Sequence, residues 1–127
     1  MATLTTTHKQ DAVEFLQLAS RGRVQEAFDR YVTSDFRHHN PYFRGDARSL
    51  ATAMAQNAAE NPEKQLEVRH VLEDGEFVAV HGRVRLRPDG QDIALVHIFR
   101  FTDDRIAELW DIGQPQPAES PNQYGMF

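Results

Sequence analysis

Residues 66–112 read LEVRHVLEDGEFVAVHGRVRLRPDGQDIALVHIFRFTDDRIAELWDI, and this stretch decides the fold. β-Branched and aromatic residues alternate with polar ones along it, and turn-forming residues interrupt the alternation at short intervals. Leu66–Leu72 is predicted as a strand ended by Asp74-Gly75, and Phe77–Leu86 as a second ended by Pro88-Asp89-Gly90. Ile93–Phe101 is predicted as a third, ended by Asp103-Asp104, and Ile106–Ile112 as the last. Three successive hairpins make an antiparallel meander.

The chain before Pro62 has a different period. Ala12, Phe15, Leu16 and Ala19 recur at i, i+3, i+4 and i+7, which marks the apolar face of a helix over His8–Ser20. Arg21-Gly22 stops it, because glycine tolerates the left-handed conformation of a helix C-terminus. Val24, Ala27, Phe28 and Tyr31 form a second helical stripe, ended at Ser34-Asp35 or at Asn40-Pro41. Asp46 is placed to cap a third helix with Leu50, Ala51, Met54 and Ala58 on one face, closed by Asn61-Pro62. Helices followed by a meander predict an α+β fold in which the helices pack on one face of a curved sheet.

Composition narrows the function. A chain of 127 residues, 40% hydrophobic and 26% charged, suits a single domain over residues 1–127 with one core. The formal net charge is −5 and no long Lys/Arg run breaks it, which disfavours nucleic acid and anionic membranes as partners. The absence of cysteine excludes disulfides, thiolate nucleophiles and Cys-ligated metal. No apolar run approaches the roughly 20 residues of a membrane span, and the polar start MATLTTTHKQDA lacks a signal-peptide core. A cytoplasmic enzyme or binding protein is expected. There is no Gly-rich phosphate loop, G-x-S-x-G elbow or helical His-x-x-x-His pair, so neither a metal nor another cofactor is expected.

Hairpin register decides which side chains share a face. A two-residue turn at Asp74-Gly75 sets Leu72 opposite Phe77, His70 opposite Ala79 and Val68 opposite His81, all on one face. At Asp103-Asp104 a strict two-residue turn would place Asp111 opposite Val96, whereas one extra residue places it opposite His97. The bulged register is the better choice, because Leu95, His97 and Phe99 then share a face with Leu109 and Asp111. The same choice at Pro88-Asp89-Gly90 brings His81 to that face.

These residues resemble a known family. Arg37-His38-His39-Asn40-Pro41-Tyr42-Phe43-Arg44-Gly45, His97-Ile98-Phe99-Arg100, Glu108-Leu109-Trp110-Asp111-Ile112-Gly113-Gln114 and the tail Ser120–Phe127 look like the SnoaL-like polyketide cyclases of the nuclear transport factor 2-like superfamily. The resemblance runs over nearly the whole chain. It implies a cone, with N-terminal helices closed over a curved, mainly antiparallel sheet that encloses a pocket. It also implies an acid/base aspartate in the last strand, which corresponds to Asp111, a neighbouring histidine at His97, and an HNP motif at His39, Asn40 and Pro41. Leu109 and His97 depart from the pattern, standing where many relatives carry histidine and an acidic residue respectively.

The chemistry expected of these groups is proton transfer. A carboxylate in an apolar pocket loses hydration and becomes a stronger base; the alternative is an Asp paired with an Arg or left at an exposed strand end. Asp111 is thus the candidate base, and His97 and His39 are candidate partners that orient it or donate to an enolate oxygen. Asn40, His81 and Trp110 are candidate ligand-binding residues. For Asn40, a turn role before Pro41 is the plainer reading, and His38 is expected to be solvated. Trp110 alternates with Asp111, so it should face the other way and need cover, as in a homodimer. The expected activity is a cofactor-independent acid/base enzyme that cyclises or isomerises a small carbonyl compound through an enolate. The alternatives are a non-catalytic binder of a small apolar ligand and a hydrolase or dehydratase of the same superfamily, since fold does not set function.

Overall fold

In the computed structural model, which describes residues 7–127, the chain enters helix α1 (His8–Ser20) through a reciprocal cap. The Thr7 hydroxyl accepts from the Gln10 N–H, and the Gln10 side chain accepts from the Thr7 N–H, satisfying two donors that a helix start leaves open. Ala12, Phe15, Leu16 and Ala19 are buried, as their spacing predicts. Gly22, with φ +84°, turns the chain into α2 (Val24–Tyr31), which buries Val24, Ala27 and Phe28. Asp46 caps α3 (Ala47–Glu60) by accepting from the N–H and hydroxyl of Ser49, and Leu50 and Met54 turn towards the core.

The strands among the described residues are β1 (Val32–His38), β2 (Gln65–Asp74), β3 (Phe77–Arg85), β4 (Asp92–Thr102) and β5 (Arg105–Pro115). They form one curved sheet in the order β1-β5-β4-β3-β2. The predicted meander is β2 to β5, and each neighbouring pair in it is antiparallel. Strand β1 was not predicted. It leaves α2 directly and runs parallel to β5, with His38 opposite Leu109. Its turn of burial is brief: Phe36 and His38 are buried around a solvated Arg37.

Register explains which side chains reach the helices. The β4–β5 turn places Asp103 and Asp104 at positive φ, the backbone of a tight two-residue hairpin. A bulge then follows, since Phe101 pairs with Ile106 but Arg100 with Glu108. The extra residue sets His97 opposite Asp111 and Phe99 opposite Leu109, which is the expected bulged register. The other two hairpins differ from expectation. The β2–β3 turn is Gly75-Glu76, with Asp74 opposite Phe77 and Gly75 at φ +60°. A bulge at Arg69 leaves His70 opposite His81 but turns Val68 to the other face, opposite Gly82. The β3–β4 connection spans residues 86–91, and His81 faces Val96, so His81 does not share a face with Asp111.

Helices cover the inner face of the sheet. Phe15 packs edge-on against Phe28 at 5.2 Å and against Phe99 at 5.9 Å between ring centres. Val78, Val80, Phe101, Ile106 and Leu109 complete this core. No helix among the described residues is long and apolar enough to cross a membrane.

Candidate functional site

The bulge in β4–β5 brings His97 and Asp111 face to face on the inner side of the sheet. A third group arrives from the loop after β1. The His39 N–H donates to the Leu109 carbonyl at 3.0 Å and extends the parallel pairing by one residue. Asn40 Nδ2 then donates to Asp111 Oδ2 at 3.0 Å, while its Oδ1 accepts from the Tyr42 N–H at 2.9 Å. Asn40 thus combines the turn chemistry of an Asn-Pro step with a direct hold on the carboxylate.

His38 fixes that loop. It is buried, not solvated as expected. Its Nδ1 accepts from the Asn40 N–H at 3.1 Å, so Nε2 carries the proton and donates to the Arg44 carbonyl. The loop that presents Asn40 is therefore closed around an imidazole in a defined tautomer.

His97 is buried. Loss of hydration lowers its pKa to about 4, outweighing the attraction of Asp111, and the charge of Lys64 acts in the same direction as burial. At neutral pH the imidazole is uncharged, with one N–H to donate and one lone pair to accept. It borders a small cavity of about 70 Å³ with apolar walls from Leu16, Met54, Leu66, Val84 and Leu95 and polar groups from Ser20 and Lys64. Asp111 lies outside the lining of this cavity. A larger open groove of about 770 Å³ lies between α2, α3 and β1 and is lined by neither His97 nor Asp111.

A SnoaL-like domain profile matches residues 12–109, a span that includes α1 from Ala12 onwards, the HNP loop and both strands of the site up to Leu109. The chain belongs to the SnoaL-like family. This SnoaL-like fold is shared by an NTF2-like protein of unknown function from Cytophaga hutchinsonii, with a TM-score of 0.71 at 15% identity over 89% of this chain and 95% of that one. It is shared by IdmH, a proposed polyketide cyclase from Streptomyces antibioticus, with a TM-score of 0.68 at 18% identity over 85% and 93% of the two chains. A proposed isomerase of the SnoaL-like family from Agrobacterium tumefaciens gives a TM-score of 0.69 at 14% identity over 86% and 99%. No curated protein matches the sequence.

In this SnoaL-like chain the other candidate residues lie on the outer sheet face. Trp110 points there, as its alternation with Asp111 predicts, opposite Ile98. The His39 ring stacks on it at 4.8 Å, and Phe77 lies at 6.3 Å, so part of its cover comes from its own chain. His39 Nε2 donates to Glu108 Oε2 at 2.6 Å. Glu108 is buried and also accepts from Arg37 and Arg100. The Arg37 hydrogen bond, with those of His39 and Arg100, overcomes burial and holds this carboxyl at about 2. The arginine-paired carboxylate weighed for Asp111 is thus found three residues earlier. His81 pairs with His70 through Nδ1 atoms 2.9 Å apart on the same outer face.

The structure therefore brings together His97, Asp111 and Asn40, and separates them from His39, His81 and Trp110. Among the described residues, no group of three or more His, Asp or Glu side chains is placed to hold a metal. Lys64 was not singled out from the sequence. The signal that marks it is compositional: Lys9 and Lys64 are the only lysines, and every other basic side chain of the lysine/arginine pair is arginine.

Proposed function

We propose that this SnoaL-like protein is a cofactor-independent acid/base enzyme that acts on a small carbonyl compound through an enolate. The observation that carries the reading is the cross-strand pair of His97 and Asp111 on the inner face, with Asn40 holding the carboxylate. Asp111 is the base that takes a proton from the carbon next to the carbonyl. His97, neutral at working pH, donates its N–H to the oxygen on which charge develops, where a buried dipole acts in a weakly screening medium. The enolate then adds to a second carbonyl and closes a ring, or is reprotonated elsewhere. Cyclase and isomerase chemistry share this first step, which agrees with the proposed activities of IdmH and the Agrobacterium protein.

The cavity beside His97 holds only a small fragment at about 70 Å³ and is not lined by Asp111, so a substrate that meets both groups needs its walls to move. Met54 is the unbranched side chain suited to that movement. The predominance of apolar walls supports a second reading, a binder of a small apolar ligand that performs no chemistry. Solvent exchange separates the two. Small ketones and β-diketones incubated with the protein in D₂O should gain deuterium at the α-carbon, followed by NMR, and Asp111→Asn should abolish the gain. Unchanged exchange in that variant rejects Asp111 as the base; saturable binding with no exchange supports the binder.

The assembly that fits this chain is a homodimer formed through the outer sheet face. Leu72, Ile112 and Phe77 are 68%, 60% and 43% exposed there, and a second copy would cover them. Sedimentation of wild type and Ile112→Lys tests this: dimer for the first and monomer for the second is expected, and a monomeric wild type rejects it.

A further inference from the structure

Two concavities meet at Lys64. One is the small cavity bordered by His97. The other is a surface depression of about 530 Å³ between the C-terminal ends of α1 and α3, bordered by Arg21, Ala58 and Asn61. Lys64 and Ser20 line both, so the Lys64 side chain stands at the boundary between the surface depression and the cavity that His97 borders.

The surroundings of that amine are unusual for a lysine. Its Nζ donates to the neutral side-chain oxygen of Asn57 at 2.8 Å, and no carboxylate pairs with it among the described residues. Its cavity neighbours Leu16, Met54 and Leu66 are apolar. Burial lowers its pKa from the usual lysine range, so more of the nucleophilic free amine is present near neutral pH. Elsewhere the chain uses arginine almost throughout, a side chain that stays charged and does not serve as an amine nucleophile.

We propose that Lys64 captures a small aldehyde or ketone as an imine in this cavity. The ε-nitrogen lone pair forms a bond to the carbonyl carbon, and the C=O π pair moves to oxygen, which takes up the proton shed by nitrogen. The carbinolamine then loses its hydroxyl as water and becomes an iminium. From ammonium and carbonyl to iminium and water, no proton is gained or lost. The positive nitrogen withdraws electrons from the α-carbon, and His97, bordering the same cavity, is the imidazole available to relay protons during dehydration. The inference rests on the reading of a carbonyl substrate and gives that substrate a covalent anchor; at the anchored carbon an enamine takes the place of the enolate, and His97 there relays protons rather than stabilising an oxygen.

Reductive trapping tests it on the intact wild-type protein. Acetone is the probe, and cyanoborohydride reduces any iminium to a stable secondary amine. Peptide mass spectrometry compares Lys64 with Lys9, which is exposed. Labelling of Lys64 should exceed that of Lys9 by at least about tenfold, because a seated carbonyl reacts as an intramolecular partner, and it should saturate with acetone. A smaller preference, or a rate that rises linearly without saturating, overturns the proposal. Lys64→Arg should remove the saturable label while circular dichroism shows the fold retained; a saturable label that persists overturns it too. The two readings fail separately. Asp111-dependent exchange without selective Lys64 labelling rejects the imine alone, and selective labelling without exchange rejects Asp111 enolisation alone.

Discussion

Replacing His97 with leucine should flatten the loss of stability on mild acidification. In the folded chain the imidazole has a pKa of about 4, against 6.5 for a free histidine. Between those values the unfolded chain binds a proton that the folded chain refuses, so acid favours unfolding. The histidine's contribution is fully present above about pH 6.5 and is lost as pH falls towards about 4. Each pH unit inside that window is worth about 1.4 kcal/mol. Wild type should therefore lose roughly 2 kcal/mol through His97 between pH 7 and pH 5, and about 3 kcal/mol by pH 4. Burial drives the effect and Asp111 opposes it, so the size of the loss measures which of the two prevails. Urea unfolding of wild type and His97→Leu at pH 7, 6 and 5 gives the answer, because titrating groups other than His97's neighbours Asp111 and Lys64 contribute alike to both proteins. The variant should lose about 2 kcal/mol less than wild type from pH 7 to 5, with the urea dependence unchanged. Parallel curves would refute the reasoning and show an imidazole that protonates as it does in water.

The outer-face carboxylate should behave in the opposite part of the pH range. Glu108 is held at about 2 in the folded chain against an ordinary 4.5, so its contribution is present above about pH 4.5 and disappears as pH falls towards 2. Glu108→Gln should cost about 2 kcal/mol at pH 7, measured by urea unfolding, because Arg37, His39 and Arg100 lose a shared buried acceptor. Phe99→Ala removes a fully buried ring that meets Phe15 edge-on, and unfolding should register a loss of about 3–5 kcal/mol.

The inner face of this site was legible because one bulge governs it. A one-residue slip inverts every side chain of a strand, and only the bulged pairing puts Leu95, His97 and Phe99 with Leu109 and Asp111. The α1 stripe and the Asp46 cap were legible for equally local reasons, a 3.6-residue period and a side chain that competes for helix N–H groups. What escaped was non-local. Strand β1 pairs with β5 across some 70 residues of sequence, with no turn to announce it. His38 is buried because its two ring nitrogens find Arg44 and Asn40 in a loop that the sequence does not draw. His81 turned outward because residues 86–91 form a wider connection than Pro88-Asp89-Gly90 suggests, and the Arg69 bulge parted Val68 from His70. His39 was drawn from the pocket by partners on the far side of β5, Trp110 and Glu108.

The two acidic residues of β5 allow the most direct test of the central claim. Glu108 and Asp111 lie three residues apart and face opposite sides of the sheet. In D₂O, with a ketone that the wild type exchanges, Glu108→Gln should retain deuterium incorporation close to the wild-type rate, while Asp111→Asn should reduce it to the uncatalysed rate. Loss of exchange in Glu108→Gln with full exchange in Asp111→Asn would place the chemistry on the outer face and contradict the account.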